Sequence, residues 1–373
     1  MRTCLGLIAL LALCAGCGPV SKLPDLDKDE VKAEQRREQI AQMRAYYSEL
    51  HRVHGVAYRI RVANGSFCRD RVAAQIGLFA ATPQSLPQRF RSFAHEAMDL
   101  SWARPTAISV VEGSPAAQAG IRDRDEIISL DGELIPVTGT ESWIEKWLKK
   151  NGEKEVSINL RRNGEDKTVT VKPVIGCSIP VEYVTADEAN AYTDDRRIVI
   201  NSGIVALAKT DAQLATIIGH ELGHVWLRHG AKKLGNAVLG TVAGAAVDGS
   251  FLLGAIWTNG AFTREFQKAG LRAYSVAFER EADYVGAYFA ARAGYDLTGA
   301  EEIWWAMGQT HPDSLRFART HPMAPMRFVQ MKRAAAEIAE KQRNHLPLVP
   351  DLKQLADAQA GEAADVKASL RPE

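Results

Sequence analysis

The sequence predicts an α+β chain: a β-rich region, then a mainly helical region with a small edge-strand sheet. Three observations carry this. Short apolar runs between 107 and 171 are separated by Asp131-Gly132 and Asn163-Gly164, dipeptides that favour tight hairpin turns. From Asp211 onward long stretches read as helices, the first opening on Asp211–Ile218 with neither Gly nor Pro. Within it lies His220-Glu221-Leu222-Gly223-His224, a spacing that places two imidazoles on one helical face.

Composition sets the frame. A chain of 373 residues accommodates two domains plus appendages. Its 46% apolar and 24% charged content is that of a folded globular protein. A formal net charge of +1 gives no basic footprint, so no nucleic-acid partner is expected.

The N-terminus reads as a targeting segment. Arg2 supplies a positive charge, Leu5–Leu13 a short apolar run, and Ala15-Gly16-Cys17 a small-residue cleavage site. The run is too short for a good membrane span. Ala-Gly-Cys resembles a bacterial lipobox, with Cys14 where Leu is usual, so Cys17 is the expected lipidation site after removal of 1–17. An ordinary cleaved signal peptide stays open as the alternative. A lipid on Cys17 would tether the chain to a membrane surface. By the same resemblance Gly18 favours the outer membrane. Outside this segment only Cys68 and Cys177 remain of five cysteines, and in an oxidising compartment the pair reads as one disulfide rather than two buried thiols.

Residues 18–64 form a tether and a helix. Glu30–Leu50 has Val31, Ile40, Met43 and Tyr47 near helical spacing. Val56–Val62 alternates and is expected to be a strand. In 65–178, Ala107–Val111 is a strand candidate. Gly113-Ser114-Pro115 opens a short helix, and Arg122–Gly132 supplies a turn, a strand and a hairpin. This string resembles the core of a bacterial PDZ domain, with Arg124-Asp125 where that family usually has Gly-Asp. The resemblance implies a second helix at Glu141–Lys150 and strands at Glu155–Arg161 and Lys167–Val171. It also implies a loop, Ile76–Phe79, that would hold a peptide's terminal carboxylate on backbone N–H groups. A peptide ligand in this groove is therefore expected, and the Cys68–Cys177 disulfide would clip the two ends of the region together.

Residues 179–345 carry the chemistry. Val181–Val184 is expected to lead the chain into this region, Asn190–Tyr192 and Arg197–Gly203 read as two short strands, and helices follow, including Ser275–Tyr295, Gly299–Met307 and Met323–Arg343. Gly240 and Gly244 lie in an apolar stretch, 234–262, read as mobile or packed helices near a site mouth rather than a membrane anchor, with shallow membrane contact as the alternative. A catalytic zinc takes three protein ligands and leaves one position for water. His220 and His224 supply two, and Glu221 lies close enough to reach the water. Glu279, on another helix, is the expected third; Asp283, four residues on, shares its face and would brace a ligand histidine. Glu281 points elsewhere, and His229 is structural or supporting at most. Residues 346–373 read as a partly ordered tail.

His-Glu-Leu-Gly-His, Glu279 to Asp283 with Glu-Ala-Asp inside, and Thr320-His321-Pro322 together resemble the gluzincin peptidases of the HtpX, CAAX prenyl protease, Oma and BepA-like kind, over roughly 185–335. The resemblance implies one Zn²⁺ per chain on His220, His224 and Glu279, with Glu221 as general base. It implies His321 as a donor to the developing oxyanion, Arg327 as a partner for Asp283, and an edge strand at Asn190, Ala191 and Tyr192 that pairs with extended substrate. The expected protein is a lipid-anchored zinc endopeptidase on the periplasmic side of a bacterial envelope, acting on envelope proteins in quality control, with PDZ-assisted selection. The alternative is a chaperone-like or scaffolding PDZ lipoprotein with little or latent proteolysis.

Overall fold

A computed structural model describes residues 24–236, 238–239, 275–310 and 325–351. Cys17 and the expected signal, Gly240, Gly244, His321 and the tail beyond 351 lie outside the described residues.

Helix α1, Lys28–Ala63, starts where the Asp27 carboxylate accepts the Asp29 N–H at 2.7 Å. It runs straight through Val56–Val62, so the strand expected there is helix. The reason lies in what is buried. Val53, Val56, Ala57 and Ile60 recur three and four apart and form one stripe. Alternation came from Arg59 and Arg61, but Arg61 is itself buried, its guanidinium donating to the Cys177 carbonyl at 2.9 Å.

Strands β1 (Val72–Gln75) and β2 (Leu78–Ala81) follow. Then come α2 (Ala94–Met98), β3 (Thr106–Val110) and α3 (Pro115–Gln118), whose N-cap Ser114 accepts the Ala117 N–H. Next are β4 (Glu126–Leu130), β5 (Glu133–Leu134), α4 (Thr140–Asn151), β6 (Val156–Arg162), β7 (Glu165–Val171) and β8 (Val174–Cys177). The main sheet runs β2-β3-β4-β6-β7 with β5 on β4, while β1 pairs with β8. Both two-residue hairpins have positive φ at both positions, 46° and 82° at Asp131-Gly132 and 53° and 83° at Asn163-Gly164, as a type I′ turn requires. Arg124, in place of glycine, takes the left-handed conformation itself at φ 74°. Its neighbour Asp125 anchors the turn by accepting the Arg122 N–H and pairing with Arg162. Cys68 and Cys177 have Cα atoms 5.4 Å apart and their sulfurs at disulfide distance.

The second region begins with β9 (Val181–Val184), β10 (Ala191–Thr193) and β11 (Ile198–Asn201), ordered β10-β11-β9. Central β11 is parallel to β9 and antiparallel to β10. The strand expected to reach Gly203 stops at Asn201, because α5 (Ser202–Leu207) starts there. Helices α6 (Asp211–Trp226), α7 (Ser275–Arg292), α8 (Glu302–Thr310) and α9 (Pro325–Arg343) complete it. The N-cap of α6 is Thr210, whose hydroxyl accepts the Gln213 N–H at 3.2 Å; Asp211, the first residue of the helix, pairs with Arg52. Val53, Val56 and Ile60 of α1 pack with Leu214, Ile217, Ile218 and Leu222 of α6 and Val285, Tyr288 and Phe289 of α7 in one core. Among the described residues no helix is long and apolar enough to cross a membrane.

Candidate metal centre

The site is set by how closely α6 and α7 cross. A Cβ at Gly219 would lie 2.5 Å from the Gly286 carbonyl oxygen, and one at Gly286 would lie 2.6 Å from the His220 nitrogen. The helices therefore touch backbone to backbone. Such an approach brings the i, i+4 pair on α6 against the i, i+4 pair on α7.

His220 Nε2 and His224 Nε2 are 3.0 Å apart. Glu279 places Oε2 at 3.3 Å from the first and Oε1 at 3.5 Å from the second. One ligand atom from each of the three residues falls within 4.8 Å of the others, and all three are buried. Tetrahedral ligands about 2.0–2.1 Å from a cation stand about 3.3 Å apart, so these separations suit a small divalent ion. The donor set, two imidazoles and a carboxylate, suits one as well.

Behind this trio stands a second layer. Asp283 Oδ1 meets His220 Nδ1 at 2.9 Å. Arg327, from α9, grips the same carboxylate with two hydrogen bonds of 2.7 and 2.8 Å. Its other nitrogen lies 3.6 Å from Glu279, and its guanidinium sits over the Trp304 ring at 4.9 Å. Burial would push the Asp283 carboxyl up, but Arg327 and His220 outweigh it and hold the group below its ordinary value. For His220 burial works downward, yet the Asp283 and Glu279 carboxylates win and raise the imidazole to about 9. Both shifts describe a site whose charges are settled by specific partners. Glu221, next to His220 on α6, is 2% exposed, and its charge also favours the Arg327 cation.

His220, His224, Glu279, Asp283 and Arg327 are thus brought together. Ala191 and Tyr192 lie in β10, the edge strand that packs beside α6, and Asn190 immediately precedes it; Tyr192 is exposed, Asn190 and Ala191 buried.

His229, expected to be structural or supporting at most, stands behind one ligand, with a partner that the sequence does not name. Helix α6 ends at Trp226, Arg228 turns left-handed at φ 55°, and helical residues resume at 229–236. That reversal swings His229 back beneath the site, where its Nδ1 lies 2.8 Å from His224 Nδ1. Glu281, set apart because it faces away from the ligands, meets His229 Nε2 at 3.1 Å. A spacing of five after His224 has no helical-face meaning, so the sequence held no signal for it.

In the β-rich region a groove lies between β2 and α4, lined by Leu78, Ile144 and Leu148 and, from α1, by Tyr58 and Arg61. Gly77 at its loop has φ 69°, and a Cβ there would lie 2.3 Å from Ser114 Cβ, so only glycine fits. The groove is not bare. Glu141 accepts the Ala80 N–H of edge strand β2 at 3.1 Å, and the His54 ring stacks on Phe79 at 3.7 Å. Burial first, and the Glu145 charge second, push the Glu141 carboxyl up to about 8.

Comparison with known proteins follows the same division. Residues 178–335 match the family described as Peptidase family M48, and residues 88–172 match the PDZ domain. The chain is similar to the mitochondrial metalloendopeptidase OMA1 of Arabidopsis thaliana, 29% identical over 49% of this chain and 35% of that one. It is also similar to a putative beta-barrel assembly-enhancing protease of Vibrio cholerae, 27% identical over 38% of this chain and 31% of that one. The matches thus span about a third of these relatives' length. A solved HtrA3 PDZ domain bound to a phage-derived ligand aligns with 28% of this chain and 88% of its own, with 19% identity and a TM-score of 0.22.

Proposed function

We propose that this chain, an M48-family peptidase region joined to a PDZ domain, is a zinc-dependent endopeptidase of a bacterial envelope. The observation that carries the reading is the buried trio His220, His224 and Glu279, with Glu221 as the adjacent acid. A divalent cation held by that trio supplies Lewis acidity and makes a nearby water acidic enough to deprotonate near neutral pH.

The protein's own groups do the rest. Glu221 takes the proton from the attacking water on its carboxylate and returns it to the leaving amine. Asp283, clamped by Arg327, accepts the His220 Nδ1–H and so keeps His220 Nε2 facing the other ligands. His321 donates to the oxyanion as the carbonyl becomes tetrahedral. An extended substrate pairs along the outer edge of β10, past Tyr192, the way a strand adds to a sheet.

In the wider reading, lipid on Cys17 tethers the enzyme to the outer membrane, facing the periplasm. The PDZ groove selects exposed peptide ends of damaged or mislocalised envelope proteins for cleavage. The similarity to the putative beta-barrel assembly-enhancing protease supports this setting. The test is casein cleavage by the full chain. Cleavage should stop with a chelator, return with zinc, and be lost by 10³-fold or more in Glu221→Gln while metal content stays at one per chain, on the scale of removing a group that transfers protons in the transition state. Full proteolysis by Glu221→Gln removes Glu221 as the base.

A further inference from the structure

The two metal-facing histidines are held from behind in different ways. His220 meets an ionised, fully buried carboxylate, Asp283. His224 meets another imidazole. His229 is 1% exposed, its Nδ1 lies 2.8 Å from His224 Nδ1, and its Nε2 lies 3.1 Å from Glu281 Oε2. Phe278 stacks on the His229 ring, centroids 4.5 Å apart and planes within 18°, which fixes the ring's plane. Neither His229 nor Glu281 is among the ligands or bases assigned above.

We propose that His229 is a positioning residue for the metal site: it accepts the Nδ1–H of His224, and Glu281 in turn fixes the proton of His229. The proton placement follows from valence. Two imidazole nitrogens within hydrogen-bond distance need one donor and one acceptor. His224 turns Nε2 toward His220 and Glu279, so with a cation on Nε2 its proton sits on Nδ1. His229 must then accept on Nδ1 and carry its own proton on Nε2. A carboxylate only accepts, and Glu281 stands where that proton points. Each link fixes the next, and the outer link is a carboxylate that is 48% exposed, so the chain connects the buried ligand to the surface.

The left-handed residue Arg228 is part of this device. Had α6 continued as regular helix, a residue five positions after His224 would project roughly 500° around the axis, away from the face of His224. The turn at φ 55° restarts the helix at His229 and returns that ring to the back of His224.

The proposal rests on the metal assignment, and the experiment separates the two. Zinc affinity of the full chain is measured by competition with a chromophoric chelator, and the visible bands of the cobalt-loaded protein report ligand geometry. If the parent binds no zinc, the metal assignment fails. With the parent binding, His229→Phe, which keeps the stacked ring and loses the acceptor, should lower zinc affinity 10- to 100-fold and alter the cobalt bands. His229→Asn, whose side-chain oxygen can take the place of Nδ1, should return affinity to within about threefold of the parent, well short of that loss. Thermal melts in chelator report packing alone and should not order the variants the same way. Parental affinity in His229→Phe overturns the proposal, and so does an equal loss in His229→Phe and His229→Asn. Should His229→Phe fail to melt cooperatively, Glu281→Ala decides: a loss of several-fold supports the relay, and parental affinity overturns it.

Discussion

Gly286→Ala tests the claim that the site is made by a backbone-to-backbone helix crossing. The added Cβ would sit 2.6 Å from the His220 nitrogen and 2.7 Å from both the Gly219 carbonyl carbon and the His220 Cα. All three neighbours are backbone, so no rotamer change relieves the clash. Ordinary contact begins near 3.4 Å, so α6 and α7 must part by about 0.8 Å. Metal–ligand distances tolerate only about 0.2 Å, and Glu279 rides on the displaced helix while His220 and His224 stay on the other. Overpacking of this kind costs about 1–3 kcal/mol of stability. Zinc affinity should fall at least tenfold, about 1.4 kcal/mol. Gly55→Ala is the control: it lies inside α1, its added Cβ meets nothing within 4 Å, and it should stabilise by about 0.5–1 kcal/mol with zinc affinity unchanged. Urea unfolding with and without zinc, beside chelator competition, reads all of this. A Gly286→Ala protein with parental stability and parental affinity would show that the helices are not held at contact distance.

Three further outcomes follow from the same coordinates. Arg327→Met takes from buried Asp283 the guanidinium that grips it with two hydrogen bonds, so stability should drop by about 3–5 kcal/mol in chelator, less with zinc bound, and recover partly when Asp283→Asn is added; an equal loss with and without zinc in urea melts would contradict it. For Glu141 the carboxyl is raised to about 8, above its unfolded value near 4.5, so the folded form holds the extra proton. Stability therefore declines as pH rises between those values, by up to about 1.4 kcal/mol per unit, and Glu141→Gln should flatten that decline; an unchanged pH slope of unfolding would refute the assignment. Replacing Cys68 and Cys177 by Ser opens a closure spanning a sequence separation of 109 and should cost about 2–5 kcal/mol, with the parent's melting temperature falling toward the variant's under reductant; a parent indifferent to reductant would mean the sulfurs are not bonded.

How much of this was legible depends on whether the information is local. His220 and His224 are four apart, as are Glu279 and Asp283, and each pair needs only a helix to share a face. The hairpins at Asp131-Gly132 and Asn163-Gly164 were legible for the same reason: two residues specify the turn. Val56–Val62 alternates like a strand, but seven residues of alternation also fit a helix whose one buried arginine finds a carbonyl, and that carbonyl, of Cys177, lies 116 positions away. His229 is legible only as structural or supporting, because its place depends on the φ of the single residue before it.

The two free positions of the metal motif are where local and distant information meet. Leu222 is buried in the core shared by α1, α6 and α7. A Cβ at Gly223 would lie 3.1 Å from the Ala282 carbonyl oxygen, one residue from Asp283. So the positions that the pattern leaves open help carry the crossing: Leu222 packs the helix, and Gly223, together with Gly219 just before the motif and Gly286 on α7, allows the approach. A chain with His, Glu and His at this spacing but bulky residues at those three glycines would hold two imidazoles on one face and no third ligand within reach. That is why the motif alone specifies only half of a metal site.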